Sequence, residues 1–243
     1  MNSNLPINKD LVVGLIPARG DSKSIPLKNL VLLNGIPLIH YVINSALDSS
    51  LLSYICCSTD NKLIAEECNK KSVHVIERPK SLGQDDTQII DVIRHSLSTF
   101  AEEKGFYPEM VALLQPTSPF ITPNHIDSCI SILQSDKMAD SSQTISKVFH
   151  NAHAFNQRII IDGRVQFKFI EERAEAYNKQ RKPQHFLFGN LVVSRTRSIF
   201  NHNNCFGQIS LPLEIDRLSS IDIDTIEDID YANYVLQRKS SNV

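Results

Sequence analysis

The 243-residue sequence has no long hydrophobic run and no excess of basic charge. No apolar stretch approaches the roughly 18–20 residues that cross a bilayer. The segment before Leu11 is polar and lacks the apolar region of a secretory signal. A net charge of −2 gives no basic field of the kind that binds DNA or RNA. We therefore expect neither a membrane nor a nucleic acid as a partner.

The sequence also has no C-x-x-C motif and no even-numbered set of cysteines that could form a disulfide framework. The five cysteines are Cys56, Cys57, Cys68, Cys129 and Cys205. We expect them to be reduced and mostly buried. Without a secretory signal, this pattern predicts a cytoplasmic protein.

Strand and helix patterns alternate through the first half of the chain. The predicted strands are continuous apolar runs at 11–16, 54–58, 73–76 and 110–114. The predicted helices, with apolar residues at helical spacing, span 37–47, 61–71, 87–104 and 123–134. This alternation predicts an α/β fold with a mainly parallel, twisted sheet flanked by helices. Ligands of such sheets bind beyond the carboxyl ends of the strands.

The alternation stops after about Lys147. The run RIIIDGRVQF predicts a β-hairpin with Asp162 and Gly163 in its turn. A polar stretch follows, and then a strand at 188–194 and a helix at 225–238 close the chain. We interpret residues about 147–187 as an insertion, too small to fold alone, within a single domain whose core is 10–146 and 188–243. The insertion is expected to pack on the sheet or to meet a second subunit.

A cationic loop follows the first predicted strand. The stretch LIPARGDSKSIPLKN places Arg19, Lys23 and Lys28 beyond that strand, with Gly20 permitting close approach of the backbone. These residue types fit the polyphosphate of a nucleotide. The loop is not a P-loop, because the G-x-x-x-x-G-K pattern is missing. The alternative is a solvated surface loop with incidental lysines.

Two aspartates near the C-terminus form a second candidate site. In SSIDIDT, Asp222 and Asp224 are two residues apart, so both carboxylates point to one side of an extended segment. Two such charges are stabilised by a cation between them, and Mg²⁺ held by carboxylates and substrate phosphates fits this pattern. The alternative is that one aspartate caps the following helix while the other is solvated.

Two further loops leave predicted strands at the same edge of the sheet. LLQPTSPF ends the fourth strand with Gln115 as its first polar residue, and the alternative here is a rigid turn. ERPKSLGQDDTQ follows the third strand and contains Arg78 and Asp85. Its Asp86 or Thr87 is an alternative candidate for the cap of the next helix.

Five motifs in register resemble the acylneuraminate cytidylyltransferases, the CMP-sialic or CMP-nonulosonic acid synthetases, of the short bacterial type. The motifs are IPARGDSKSIPLKN, STDNKLIAEEC, ERPKSLGQDDT, LLQPTSPF and SIDIDT, and the resemblance runs from about Leu11 to Leu236. It implies a Rossmann-like nucleotide-diphospho-sugar transferase fold. It also implies a reaction of CTP with a nonulosonic acid, a nine-carbon 2-keto sugar acid, that gives the CMP-sugar and pyrophosphate.

The same resemblance implies roles for individual residues. Arg19 and Lys28 match the phosphate-binding pair, and Asp222 and Asp224 match the carboxylates that hold Mg²⁺, with Mn²⁺ as the alternative ion. Residues expected to bind substrate are Ala18, Ser22, Asn29, Arg78, Asp85, Gln115 and Lys179. The family is dimeric through an inserted subdomain, so a homodimer is expected, with dimerisation assigned to residues about 147–187.

The departures from the family fall mainly on the sugar side. The family's N-G-A-I-Y-I reads GNLVVS here, so that Gly189 and Val193 stand at its polar Asn and Tyr positions. Phe155 replaces an insertion lysine, and Lys179 and Leu187 replace arginines. Ile89 stands where a small residue is common near the cytosine site. The sequence therefore predicts the nucleotide half of the reaction and leaves the sugar, and the way its carboxylate is bound, open.

The functional hypothesis is a cytidylyltransferase that activates a sialic, legionaminic or pseudaminic-type acid. One alternative is an enzyme of the same fold that uses another sugar acid, such as 3-deoxy-octulosonate. The opening loop of that group normally reads R-L-P-x-K rather than the K-x-I-P-x-K-N found here. A second alternative is a catalytically silent homologue that binds nucleotide. Retention of Arg19, Lys28, Asp222 and Asp224 argues against silence.

Overall fold

The computed structural model describes Met1, residues 4–176, Asn178 and residues 180–241. The strands are β1 (Ile7–Pro17), β2 (Leu32–Leu33), β3 (Ile36–Pro37), β4 (Tyr54–Thr59), β5 (His74–Glu77), β6 (Tyr107–Leu114), β7 (Ser141–Lys147), β8 (Arg158–Ile161), β9 (Arg164–Phe167), β10 (Phe186–Arg195) and β11 (Ser210–Glu214). The helices are α1 (Leu38–Leu47), α2 (Lys62–Lys70), α3 (Ile89–Lys104), α4 (Pro123–Ser135), α5 (Ile170–Glu175), α6 (Thr196–His202) and α7 (Ile226–Ser241). Every helix in these ranges is too short or too polar to cross a bilayer.

One sheet organises the fold, with its seven strands in the order β11-β7-β10-β6-β1-β4-β5. The first strand lies near the centre, parallel to both β4 and β6, and Leu15 is in register with Cys56 and Leu113. Only β10 runs antiparallel to its neighbours β6 and β7 within this sheet. The prediction of a mainly parallel sheet flanked by helices is confirmed.

The alternation of side chains along β1 divides the core between the two faces of the sheet. Val12 and Ile16 pack in a cluster that includes residues of α1, α2 and α4. Val13 and Leu15 pack on the opposite face with residues of α3 and α6. Each fully buried aliphatic side chain contributes about 1.5–3 kcal/mol, so this two-sided strand fixes the centre of the domain.

Four strands, β2, β3, β7 and β11, and two helices, α5 and α6, were not predicted from the sequence. The sequence of β7, SSQTISK, is polar, but its side chains Ser142 and Thr144 are buried. Ser142 Oγ donates to Cys129 O at 2.6 Å, and Thr144 Oγ1 accepts from Leu191 N at 3.1 Å. Because each hydroxyl has a partner, burial is tolerated where the hydropathy pattern gives no signal.

The insertion lies between β7 and β10. It contains the β8–β9 hairpin and α5, and Asp162 and Gly163 adopt φ angles of 49° and 74° in the hairpin turn. This confirms the predicted hairpin, since such turns require positive φ at both central residues. Some of its apolar side chains are strongly exposed, with Ile160 at 75% and Val165 at 68%.

Candidate functional site

A cavity of about 550 Å³ opens where β1, β5 and β6 end. Nine of the residues predicted to bind substrate or metal line it: Arg19, Ser22, Lys28, Asn29, Arg78, Asp85, Gln115, Asp222 and Asp224. The parallel strands thus bring together motifs that are more than 200 positions apart in the sequence. This is the edge of the sheet at which the sequence places a ligand.

The cationic loop, residues 17–29, is fixed from within. Asn29 is buried, and its Nδ2 donates to Arg19 O at 2.9 Å. Leu27 adopts φ 49° just before the 3₁₀ turn Lys28–Leu30, which turns the Lys28 side chain toward the cavity. Asn29 lines the cavity, but one of its donors is already bound within the loop, so it acts first as a structural residue.

Arg19 and Lys23 share one counter-ion. Arg19 Nη1 and Lys23 Nζ each lie 2.8 Å from a different oxygen of Asp85. The hydrogen bond from Lys23, and then that from Arg19, lowers the pKa of the Asp85 carboxyl. Solvent-exposed ion pairs of this kind are weak, so a polyphosphate would compete for both cations. The geometry makes Asp85 the shared counter-ion of Arg19 and Lys23.

Arg78 is buried at the end of β5. Its Nε donates to Ser58 Oγ at 3.2 Å, and its Nη2 donates to Ser58 O at 2.8 Å. Burial lowers its pKa, and the charge of Arg19 acts in the same direction. A guanidinium remains charged even so. Ser58 therefore fixes a permanent positive charge in the cavity wall.

Asp222 and Asp224 lie at the mouth of the cavity beside Lys28. Ile223 N donates to Thr117 O at 2.9 Å, which holds this segment against the loop that follows β6. Lys28 Nζ lies 2.9 Å from Asp224 Oδ1. Burial raises the pKa of the Asp222 carboxyl, and the charge of Asp224 raises it further, whereas the Thr117 hydroxyl lowers it.

Neither aspartate caps the helix that follows. Asp228 Oδ2 accepts from Thr225 N at 2.8 Å, and Asp228 N donates to Thr225 Oγ1 at 3.3 Å, so these two residues form the cap of α7. The alternative assignment of Asp222 or Asp224 as the cap is wrong. Asp86 and Thr87 likewise do not cap α3, whose N-cap residue is Gln88.

The aspartate pair supplies carboxylate oxygens, the ligands that a hard divalent cation prefers. Asp222 Oδ1 is buried, and none of the described residues donates a hydrogen bond to it. A buried carboxylate oxygen without a donor is costly unless a cation or water binds it. Within the described ranges, no group of three acidic, histidine or cysteine side chains could hold a metal ion. Two carboxylates completed by substrate phosphates are the arrangement typical of Mg²⁺.

The opposite part of the cavity is apolar, and the sequence did not predict it. We call it the apolar half: Leu113, Phe188, Val192, Cys205 and Phe206. The rings of Phe188 and Phe206 meet edge to face with their centroids 5.6 Å apart. Leu113 and Val192 were predicted as core strand residues, which hydropathy cannot distinguish from a cavity wall. For Cys205 and Phe206, the sequence gives only the turn-like stretch NNCFG, which indicates a loop and not a cavity wall.

Several predicted sugar-side positions lie elsewhere. Val193 is fully buried in the core on the opposite face of the sheet, and its neighbour Val192 faces the cavity instead. Leu187 is exposed on β10, and Phe155 packs edge-on against His153 within the insertion. Lys179 lies outside the described residues.

Packing and backbone contacts explain the residues found at positions 18 and 189. Ala18 is fully buried, its N–H donates to Ser58 O at 2.9 Å, and it is not among the described residues that line the cavity. A Cβ on Gly189 would lie 2.7 Å from Thr144 Oγ1, so only glycine fits there. The next residue, Asn190, has φ 71° and donates from Nδ2 to Ser220 O at 3.2 Å. It thereby holds the segment that leads to Asp222.

Comparison with known proteins gives a family and two informative relatives. A family model described as cytidylyltransferase matches residues 13–240. The N-acylneuraminate cytidylyltransferase of Escherichia coli O18:K1:H7 is 26% identical over 94% of this chain, which spans 53% of that protein. The CMP-N,N'-diacetyllegionaminic acid synthase of Legionella pneumophila is 31% identical over 88% of this chain and 91% of its own length. The chain therefore spans about half of the first relative and nearly all of the second.

Two solved structures share the fold. The CMP:2-keto-3-deoxy-manno-octonic acid synthetase, complexed with CTP, has a TM-score of 0.71 at 13% identity and covers 94% of this chain and 99% of its own. The 4-diphosphocytidyl-2C-methyl-D-erythritol synthase of Anaerococcus prevotii has a TM-score of 0.59 at 15% identity and covers 93% of this chain and 96% of its own. At such low identities the likeness establishes the fold alone.

Proposed function

The chain belongs to the cytidylyltransferase family, and we propose on that premise that it transfers a cytidylyl group from CTP to a nonulosonic acid. The observation that carries the proposal is the division of one cavity into two chemically different halves. Arg19, Lys28 and Arg78 line the cavity and would bind a triphosphate, and the apolar half of the same cavity would receive an organic acceptor. The aspartate pair lies beside Lys28, where the two substrates would meet.

The chemistry required of the protein is positioning and charge neutralisation. The anomeric hydroxyl of the sugar acid attacks the α-phosphorus of CTP in line. A new phosphorus–oxygen bond forms, the bond to the bridging oxygen of the β-phosphate breaks, and pyrophosphate leaves while the hydroxyl loses its proton. Lys28 and Arg19 would stabilise the negative charge that develops on the phosphoryl oxygens. Arg78, fixed by Ser58, would hold the nucleotide in place during the transfer.

We propose Mg²⁺ as the cofactor, with Mn²⁺ as the alternative. Asp222 and Asp224 would hold it, and the free Oδ1 of Asp222 supports that assignment. The bound ion would neutralise phosphate charge and orient the triphosphate. Lys28 Nζ, at 2.9 Å from Asp224 Oδ1, would contact the same phosphates.

The apolar half favours an acceptor that carries acyl groups. Phe188, Phe206 and Val192 bury such groups favourably, at about 25 cal/mol per Å² of apolar surface. Sialic, legionaminic and pseudaminic-type acids carry acylamido groups, whereas 3-deoxy-octulosonate carries none. The wall of the cavity therefore supports the first class over the second.

We propose further that the protein is a homodimer formed through the insertion. Ile160, Val165 and Ile170 are exposed there and form a surface suited to a second copy. A sugar acid also brings a carboxylate, and none of the described residues of the apolar half is basic. Arg164 and Lys168 of the partner's insertion are candidates for that missing charge.

We propose a cytoplasmic location because the cysteine thiols are not paired in disulfides. All five cysteines lie within the described residues, and each is free and buried. Free thiols of this kind are typical of a reducing compartment.

The experiment that tests the function is pyrophosphate release from CTP with a panel of acceptors, with and without Mg²⁺. The panel contains N-acetylneuraminic, N,N'-diacetyllegionaminic, a pseudaminic-type and 3-deoxy-octulosonic acid. We expect release with an acylated acid, and only with the divalent ion present. Release from UTP or GTP but not from CTP would overturn the cytidylyl assignment. Binding of CTP without release from any acceptor would identify a silent homologue.

A further inference from the structure

The wall of the apolar half is formed partly by a short loop. This acceptor loop, residues 203–207, joins α6 to the segment before β11 and places Cys205 and Phe206 in the cavity wall. Asn203 and Gly207, at its two ends, have φ angles of 54° and 68°. Loops without regular hydrogen bonding are usually mobile, so the precision of this wall depends on what fixes the loop.

A single carboxylate outside the cavity, that of Asp140, holds the segments on both sides of the loop. Asp140 Oδ2 accepts from Gln208 N at 2.8 Å and from Ile209 N at 3.2 Å. Asp140 Oδ1 accepts from Ser198 Oγ of α6 at 2.6 Å. The same side chain thus holds the helix before the acceptor loop and the backbone after it. Charge-assisted hydrogen bonds of this kind are stronger than bonds between neutral groups.

The loop packs against Asp140 so closely that no side chain fits between them. A Cβ on Gly207 would lie 2.1 Å from Asp140 Cβ, and the residue has a positive φ of 68°. Burial would raise the pKa of Asp140, but the hydrogen bonds from Ser198, Gln208 and Ile209 lower it below its ordinary value. The carboxylate is therefore ionised and fully engaged at neutral pH.

Hydroxyl groups of the sheet hold the middle of the loop. Ser141 Oγ donates to Phe206 O at 2.6 Å, and Ser194 Oγ donates to Cys205 O. Asn204 Oδ1 accepts from Phe206 N at 2.9 Å. The backbone of both cavity-lining residues is thus fixed, and Phe206 meets Phe188 of β10 at a centroid distance of 5.6 Å. The position of the loop sets the width of the apolar half.

We propose that Asp140 is a positioning residue for acceptor selection, acting through Phe206 and Cys205. Asp140 is not among the described residues that line the cavity, so its effect on the acceptor is indirect. This inference rests on the proposed function, because it assigns the apolar half to the acceptor. Loss of the carboxylate releases the loop and widens the acceptor half, while the cationic half, on the other side of the cavity, is unaffected.

The test compares Asp140→Ala and Asp140→Asn with a matched control. Asp127 of α4 holds a different loop in the same way, since its carboxylate accepts from Ser50 N at 3.0 Å and from Leu51 N at 3.2 Å. It too lies outside the described lining of the cavity. Asp127→Ala therefore removes a comparable loop anchor remote from the site.

We expect Asp140→Ala to raise the KM for the acceptor about 10-fold while the KM for CTP stays within about 2-fold. The ratio of kcat/KM between N-acetylneuraminic and N,N'-diacetyllegionaminic acid should change about 5-fold, because a wider apolar half discriminates less between the two acceptors. Asp140→Asn retains an oxygen for the two backbone donors and should lie between wild type and Ala. Asp127→Ala should lower Tm without changing either KM.

A second measurement is independent of activity. All five thiols are buried, so alkylation of Cys205 by N-ethylmaleimide, followed by peptide mass spectrometry, reports opening of the acceptor loop. We expect Asp140→Ala to accelerate alkylation of Cys205 about 10-fold relative to wild type and to Asp127→Ala. Unchanged alkylation would overturn the inference even if no acceptor is turned over. Faster alkylation with unchanged acceptor KM and selectivity would also overturn it, whereas wild-type inactivity with every acceptor would refute only the proposed function.

Discussion

Lys28 Nζ lies 2.9 Å from Asp224 Oδ1, although 196 positions separate the two residues in the chain. The contact joins the loop after the first strand to the segment that follows the last strand of the sheet. The lysine side chain is only 15% exposed and the aspartate 70%. A cation suited to phosphate and a carboxylate suited to a metal ion are therefore brought together at one point of the cavity.

The first prediction concerns that carboxylate. Asp224→Asn should leave the fold intact and lower kcat by at least about 100-fold, because a neutral amide binds a divalent cation poorly. Asp230→Asn, a change of the same type at an exposed position of α7, should leave turnover unchanged. Thermal unfolding and pyrophosphate release measure the two effects. Normal turnover of Asp224→Asn would show that this residue is not a metal ligand.

The second prediction concerns the counter-ion of the cationic loop. Because Asp85 occupies Arg19 and Lys23, Asp85→Asn should free both cations and lower the KM for CTP by about 2–5-fold. Asp86→Asn, at the exposed neighbouring position, is the control and should change nothing. A rise in the KM of Asp85→Asn would instead mean that Asp85 itself binds substrate, as its motif predicts.

The third prediction is a pH dependence of stability at His125. Its Nδ1 accepts from Thr122 N at 3.3 Å, and burial lowers its pKa, with Asp216 acting in the opposite direction. The folded protein therefore binds this proton less tightly than the unfolded chain, so stability is complete above the unfolded pKa, about 6.5, and falls as pH decreases through it.

His125→Gln should retain this capping hydrogen bond and remove the titration. We expect the free energy of unfolding of the variant to depend less on pH between about 5 and 7 than that of wild type. Urea unfolding at several pH values measures the difference. Burial also lowers the pKa of His40. The substitution His40→Gln therefore measures how much a second histidine contributes to the pH dependence of stability. Identical pH profiles of His125→Gln and wild type would contradict the assignment.

The fourth prediction concerns association through the insertion. Ile160→Glu combined with Val165→Glu should weaken a dimer by about 100-fold or more, because both side chains are exposed on the hairpin and charge is costly in an apolar interface. Leu63→Glu, at an exposed apolar position on α2, is the control. Sedimentation equilibrium measures the association. A wild-type protein that is fully active as a monomer would refute the role of the insertion.

The local elements were predictable because their signals are local. The apolar run at the first strand, the helical spacing before Leu47 and the turn at Asp162 and Gly163 each depend on neighbours in sequence. The cationic loop and the aspartate pair could be recognised for the same reason. Strand β7 could not, because its serines are buried only through hydrogen bonds to distant residues such as Cys129.

By itself, the sequence determined the alternating strands and helices of the first half of the chain, the edge of the sheet that carries the site, and the cationic and acidic residues found there. Only the tertiary structure decided which of those charges meet, that Asp85 neutralises Arg19, that Thr225 and Asp228 cap α7, and that Val192 rather than Val193 faces the cavity. The physical reason is that periodicity and turn chemistry act between neighbours along the chain. The ion-pair partner of a charged residue, and the side chain that faces the cavity, depend instead on contacts between segments that are distant in the sequence. The sheet places these segments side by side.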